Sequence, residues 1–381
     1  MEEFKTYILQ DVILDIAAGP FGSNLPVSCF TSSGFPIIDG ANLKSFCLTD
    51  NITKFVPEEK AQSLHRSIAK RGDVIVTISG TIGQIAYIPE DSIYAEYLVS
   101  QRQFRVTFNQ TKIYPPFLVY YFHTTEGQHK ILSFANQTGV PALSQPLKNF
   151  KNIEVKVPSI ETQRKIMDVL LSLDAKIELN RRINDNLEQQ AQALFKAWFV
   201  DFEPFGGQLP DNWEECNLSD ILTVRYGKDH KTLKDGTIPV YGSGGIMRFV
   251  NKALYDKESV LIPRKGTLNN LFYVDEPFWS VDTMFFTEMK KMNIAKYIFL
   301  YLQRVDLESM NCGSAIPSMT TNILNGVRAI LPSDEVLMKF DNTISSIFAK
   351  LKSLQKESTQ LASIRDTLLP KLMSGELKLT I

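Results

Sequence analysis

Residues 158–199 read PSIETQRKIMDVLLSLDAKIELNRRINDNLEQQAQALFKAWF, and residues 332–373 read PSDEVLMKFDNTISSIFAKLKSLQKESTQLASIRDTLLPKLM. Laid over each other at a constant offset of 174, the two stretches share a period more than an identity. In the first, Ile166, Leu170, Leu173, Ile177, Asn180, Asn184, Leu187, Ala191, Leu194 and Trp198 alternate steps of four and three. In the second, Phe340, Ile344, Ile347, Leu351, Leu354, Ser358, Leu361, Arg365, Leu368 and Leu372 repeat the same steps. An alternation held this long is a coiled-coil seam, because it keeps one narrow stripe facing a partner helix. A helix lying on a domain surface would carry a wider apolar stripe.

The limits of both helices are readable. Each begins at a Pro-Ser pair, with Ser159 or Ser333 as N-cap and Glu161, Asp334 and Glu335 in the first turn, where the helix dipole favours acids. Gly375 is a left-handed terminator for the second. At about 1.5 Å per residue, each helix would be about 60 Å long and must hold other parts of the chain apart. If the two run antiparallel about their centres, position i meets 538 − i. Asn180 then faces Ser358, Leu187 faces Leu351, and Arg365 falls opposite Leu173, where it has to snorkel. The first helix closes in LFKAWFVDFEPF (residues 194–205), where Phe195, Trp198, Phe199 and Phe202 are expected to pack on the following domain or on a partner.

The duplication extends beyond the helices. TGVPALS (138–144) recurs as GSAIPSMT (313–320), with Pro141 over Pro317, and EVKVPS (154–159) recurs as RAILPS (328–333). Fainter correspondences link LQDVILDIAAG to LSDILTVRYG, FPIIDG to IPVYGS, and DVIVTISGTIG to SVLIPRKGTLN. The layout expected is a domain over residues 1–158, a helix over 159–200, a second domain over 201–332, and a helix with its tail over 333–381. Short β-rich runs such as VIVTI, QFRVTF and LFYV predict mixed sheets, while PPFLVYYFH and AKYIFLYL predict short amphipathic helices, so each domain is α+β. Gly80-Thr81 and Gly266-Thr267 fall in tight loops between strands, where outward amides and a hydroxyl would suit a phosphate or a base.

Composition narrows the function. A hydrophobic fraction of 44% describes a folded chain with interiors to bury, and no apolar run is long enough to cross a bilayer, so a cytoplasmic protein is expected. Net charge is −1, and the densest basic cluster is VRYGKDHKTLK around Arg225, Lys228, Lys231 and Lys234. The cysteines at 29, 47, 216 and 312 are too far apart for a zinc site or redox pair, and read as buried thiols. The four histidines are scattered and read as structural. Catalytic motifs fail one by one. IYPPF (113–117) has Tyr114 where an amino-methyltransferase loop needs Asp or Asn, GSGG (242–245) lacks the Lys-Ser/Thr of a phosphate loop, and IEVK (153–156) has no partnering Asp. The chain is expected to catalyse nothing alone and to hold no metal.

Two variable domains alternating with two copied helices, together with TGVPALS, LFKAWFVDFEPF and the terminal LLPKLMSGEL, resemble the specificity subunit of type I restriction-modification systems. The resemblance covers essentially the whole chain. It implies that each domain reads one half of a split site in double-stranded DNA and that the helices set the spacer. It also implies two modification subunits, which use S-adenosylmethionine, and restriction subunits that use ATP and Mg, with no cofactor in this chain. Candidate readers are Ser79, Thr81, Gln84 and Arg102 in the first domain, and Arg225, Lys228, Lys231, Lys265, Thr267 and Asn269 in the second. Phe195, Trp198 and Phe199 are candidates for partner docking. The rival readings are a coiled-coil scaffold with paired protein- or glycan-binding domains, and a specificity factor for another phage-defence methyltransferase.

Overall fold

The computed structural model describes residues 4–136, 139–313 and 317–379. Thr138 of the first repeated motif and Ser314 to Ile316 of the second lie outside the described residues. The chain falls into two units: Met1–Glu178 with Ser358–Ile381, and Leu179–Glu357. The long helices span Ile160–Phe199 and Asp334–Ser374, so each gives one half to each unit. Ser159 caps the first through its hydroxyl, which accepts from the Thr162 amide at 3.3 Å. Gly375 ends the second at φ +76°. All twenty seam positions are buried or half-buried.

The first unit holds an antiparallel sheet in the order Ile13–Ala18, Gln103–Phe108, Val74–Thr77, Ile85–Tyr87. A second sheet contains Phe35–Ile38 running parallel to Glu96–Val99. Lys5–Ile8 pairs with Glu154–Val157 and joins the start of the domain to its end. The other unit repeats this plan with different residues. Its antiparallel sheet runs Leu222–Tyr226, Met284–Met289, Ser259–Pro263, Phe272–Val274; Asp235–Gly242 runs parallel to Trp279–Ser280; and Glu214–Asn217 pairs with Arg328–Leu331.

The faint sequence correspondences mark the same places in the two units. A Cβ on Gly19 would lie 1.8 Å from the Ser100 carbonyl oxygen, and one on Gly227 would lie 2.0 Å from that of Val281, so both positions exclude any side chain. The first copy is one residue longer between Leu9 and Gly19 than the second between Leu218 and Gly227. The pairing of Ile13–Ala18 slips between Ile13 and Asp15, and this bulge absorbs the extra residue at exposed Leu14.

The short helix Pro115–His123 departs from expectation. Its residues from Pro115 to Phe122 are all buried, so it is apolar all round instead of amphipathic: the sheet covers it on one side and the long helix on another. In the same core, Ile166, Met167 and Leu170 from the first long helix meet Leu369, Leu372 and Met373 from the second. The second unit's core likewise joins Ala191, Phe195 and Phe199 to Leu337, Phe340 and Ile344.

Within the second unit the helix halves run in opposite directions. Asn180 donates to Glu357 at 2.8 Å, and the rings of Trp198 and Phe340 lie 5.6 Å apart, so partner numbers fall as first-helix numbers rise. Trp198 against Phe340 is the pair that the 538 − i register requires. In the first unit Arg365 does not snorkel. Its side chain is 18% exposed, its guanidinium donates to Asp174 at 2.6 Å and lies 5.0 Å from the centroid of the Phe46 ring, and Asp174 also accepts from the Tyr120 hydroxyl. Burial and the Asp174 charge push that phenol well up, so it remains a neutral donor.

Removing one member of this group strands the other. Arg365→Met should destabilise the first unit by about 1–3 kcal/mol, and adding Asp174→Leu should restore much of the loss. Trp198, Trp213 and Trp279 all belong to the second unit, so hydrogen exchange over residues 103–123 is the measurement that isolates the first. Equal protection in wild type and Arg365→Met would refute the assignment.

Candidate nucleic-acid interface

In both units the Gly-Thr loop meets the repeated proline segment. The Gly80 amide donates to the Pro141 carbonyl at 2.9 Å, and the Gly266 amide donates to Pro317 at 3.0 Å. Bridges between Ser79 and Ala142 and between Lys265 and Ser318 extend each junction. Gly80 and Gly266 sit at φ +89° and +91°, where a side chain would strain the turn. The outward glycine amides expected for phosphate are therefore absent: each is spent on a carbonyl from a distant segment. Thr81 and Thr267 remain exposed.

The first unit has a cleft of about 520 Å³ at this junction, and Ser79, Thr81, Gln84 and Arg102 all line it. Gln101, Gln103, Asp39 and Lys54 join them, with Leu25 and Phe30 on the apolar side. Lys54 is bound to Asp39 at 2.6 Å and Ser100 bonds to Gln103, which is buried. The Gln84 carbonyl oxygen accepts from the Thr77 hydroxyl at 3.4 Å. The Arg102 guanidinium is exposed and makes no hydrogen bond or ion pair among the described residues. A glutamine amide offers a donor beside an acceptor and a guanidinium offers parallel donors, the two arrangements that match purine edges. Gln101, Gln103, Asp39 and Lys54 escaped sequence reading. The polar run SQRQ (100–103), inserted between two apolar strand signals, was the available clue.

In the second unit the candidates divide. Lys228 donates its amide to Ser280 at 2.8 Å and Lys265 donates its amide to Thr283 at 3.3 Å, so both flank residues 280–283. Lys228, Lys231, Lys265, Thr267 and Asn269 are exposed, and none of the three lysines forms an ion pair among the described residues. Arg225 differs: Glu288, across the strand pair, holds its guanidinium at 3.0 Å and neutralises it. Asn270 ties the Gly266 loop to the GSGG turn by donating to the Ser243 carbonyl at 2.6 Å.

Phe195 and Phe199 are not available to a partner. They are 2% and 7% exposed and pack against Tyr297, Phe340 and, for Phe199, Trp213, holding the helix end to its own domain. Trp198 is half-buried beside Phe205 and Phe340. The cysteines are less buried than expected, because they sit in loops and at a strand edge: Cys29, Cys47 and Cys216 are half-buried and Cys312 is exposed. Burial pushes the Cys47 and Cys216 thiols up, away from thiolate chemistry. His123 is structural, with Nε2 2.9 Å from the Ile85 carbonyl, and burial lowers its pKa. Among the described residues no cluster of His, Cys, Asp or Glu could hold a metal ion, and no helix is long and apolar enough to cross a membrane.

Comparison with known proteins agrees with this duplicated architecture. The specificity subunit of the type I restriction enzyme MjaIX from Methanocaldococcus jannaschii is 26% identical over 85% of this chain and 82% of its own length. That of HindI from Haemophilus influenzae is 26% identical over 99% of this chain and all of its own. The crystal structure of a type I restriction-modification S subunit from M. genitalium superposes with a TM-score of 0.62 at 19% identity, covering 100% of this chain and 97% of the other, and so shares the fold. The family model for the type I restriction modification DNA specificity domain matches residues 3–189 and again 210–364, and the chain therefore belongs to that family, with the domain present twice.

Proposed function

We propose that this specificity subunit binds double-stranded DNA through both units, each reading one half of a bipartite asymmetric site. The observation that carries the reading is the repeated junction of Gly-Thr loop and proline segment. One backbone scaffold presents Gln84 and Arg102 in a cleft in the first unit, and unpaired Lys228 and Lys265 in the second. A shared scaffold with unlike side chains suits two unlike half-sites. The relatives named above are specificity subunits, which supports the same conclusion.

In this proposal residues 1–158 and 201–332 are the recognition domains, and the helices over 159–200 and 333–381 fix the distance between half-sites. Catalysis then belongs to the partners: two modification subunits that bind S-adenosylmethionine and methylate adenine, and restriction subunits that use ATP and Mg. The complex would act on DNA in the cytoplasm. With a net charge of −1 the chain has little electrostatic grip of its own, so partner subunits supply much of the phosphate neutralisation.

Two outcomes test this. In the assembled complex, Arg102→Ala should cost about 1–3 kcal/mol and relax specificity at one base pair of one half-site, whereas Lys265→Ala should weaken all sequences alike and lower the salt slope by about one. Unchanged affinity and methylation in both variants would remove these positions. Inserting seven residues in register into both long helices adds about 10 Å of rise, or about three base pairs of spacer. Methylation mapping that returned the original spacer would contradict the ruler.

A further inference from the structure

The second unit carries an apolar edge that the reading above does not use. Asp235–Gly242 and Gly245–Val250 form a hairpin, and Gly245–Val250 is the edge strand of its sheet. Ile246, Met247 and Phe249 are 49%, 60% and 50% exposed along it. Edge strands are normally blunted by charge or covered, because open apolar edges invite association. Here the one basic side chain, Arg248, is folded away onto Asp235 at 2.7 Å. The pairing slips between Val240 and Tyr241, so that Val240 faces Arg248 and Tyr241 faces Ile246; Met247 is the extra residue of a bulge that re-aims its side chain.

The surroundings identify what covers this edge. On one side the hairpin is bonded to the lysine-rich loop: Arg248 donates to the Leu233 carbonyl at 3.1 Å, and Asn251 donates to that of Lys234 at 3.0 Å. On the other side its turn is bonded to the Lys265–Asn270 loop through Ser243 and Asn270. Lys231 and Lys234 thus lie on one flank and Lys265 on the other, all exposed and without an ion pair among the described residues. An apolar ribbon between two cationic flanks matches a groove between two phosphate strands. The major groove admits a two-stranded β-ribbon, and the apolar group on its base edges is the thymine C5-methyl.

We propose that this hairpin enters the major groove and that Ile246 and Met247 select thymines by packing on their C5-methyl groups. The proposal rests on the DNA-reading function above and adds a base identity to one half-site. The test uses the chain assembled with its modification subunits and a duplex carrying the site located by methylation mapping. Each thymine in turn is replaced by uracil, which deletes only the methyl. At one or more positions wild-type affinity should fall about fourfold per buried methyl. Met247→Ala or Ile246→Ala should reduce that discrimination to less than twofold, whatever either variant does to affinity as a whole.

Specific binding that changes less than twofold at every thymine overturns the hairpin proposal and leaves DNA reading intact. Discrimination that survives in both variants overturns it as well. A wild-type complex that binds no duplex overturns both readings. The uracil series uses the wild-type chain, so a flat series overturns the proposal even if a variant fails to fold.

Discussion

Each core is closed by helix segments from far along the chain, and the rest of the structure depends on that closure. The first domain begins near Phe4, yet its interior is completed by Leu369, Leu372 and Met373, whose helix ends at Gly375 with the Phe4 ring less than 3 Å from where a glycine Cβ would be. Contacts of such sequence separation carry a large loop-closure cost before they return any stabilisation. The apolar interior has to offset that cost, which accounts for a helix such as Pro115–His123 that is buried on every side instead of on one. It also makes the C-terminal segment a structural part of the N-terminal domain.

Duplication preserved the backbone where backbone is crowded and released the side chains where it is not. Gly19 and Gly227 lie against carbonyls that leave no room for a Cβ, and Gly80 and Gly266 hold left-handed turns against a proline carbonyl. Between these fixed points the side chains diverge: beside the shared Gly-Thr pair, Ser79 of the first loop stands where the second has exposed Lys265. A recognition scaffold needs that division, because binding geometry must stay constant while the base-edge contacts change.

The helices, their limits and their antiparallel sense were legible in the sequence because they depend on local period and on caps. The α+β class and the duplicated plan followed from weak matches whose shared positions are glycines and prolines, the residues that constrain a backbone. What was not legible depended on partners distant in sequence. Glu288 silences Arg225 across a strand pair, Pro141 and Pro317 consume the loop amides, and Asp174 receives Arg365, which the heptad pattern placed only against Leu173. The first-unit cleft gathers residues from Leu25 to Gln103, and no spacing rule joins them.

The seam also distinguishes its own halves. At the 174 offset, Asp174 corresponds to Phe348 and Arg365 to Ala191. In the first unit the layer is polar: Tyr120 and Arg365 converge on Asp174. In the second it is aromatic: Phe348 lies 5.0 Å from Tyr273 and 5.9 Å from Phe299, and Ala191 is buried in the same core as Phe195. Exchanging helix halves between the units would set Asp174 among rings, away from the Tyr120 hydroxyl and the Arg365 guanidinium, and would leave Arg365 only its neighbour Asp366. The shared period alone would suit either half to either domain, and this unlike pair of layers disfavours the swapped arrangement.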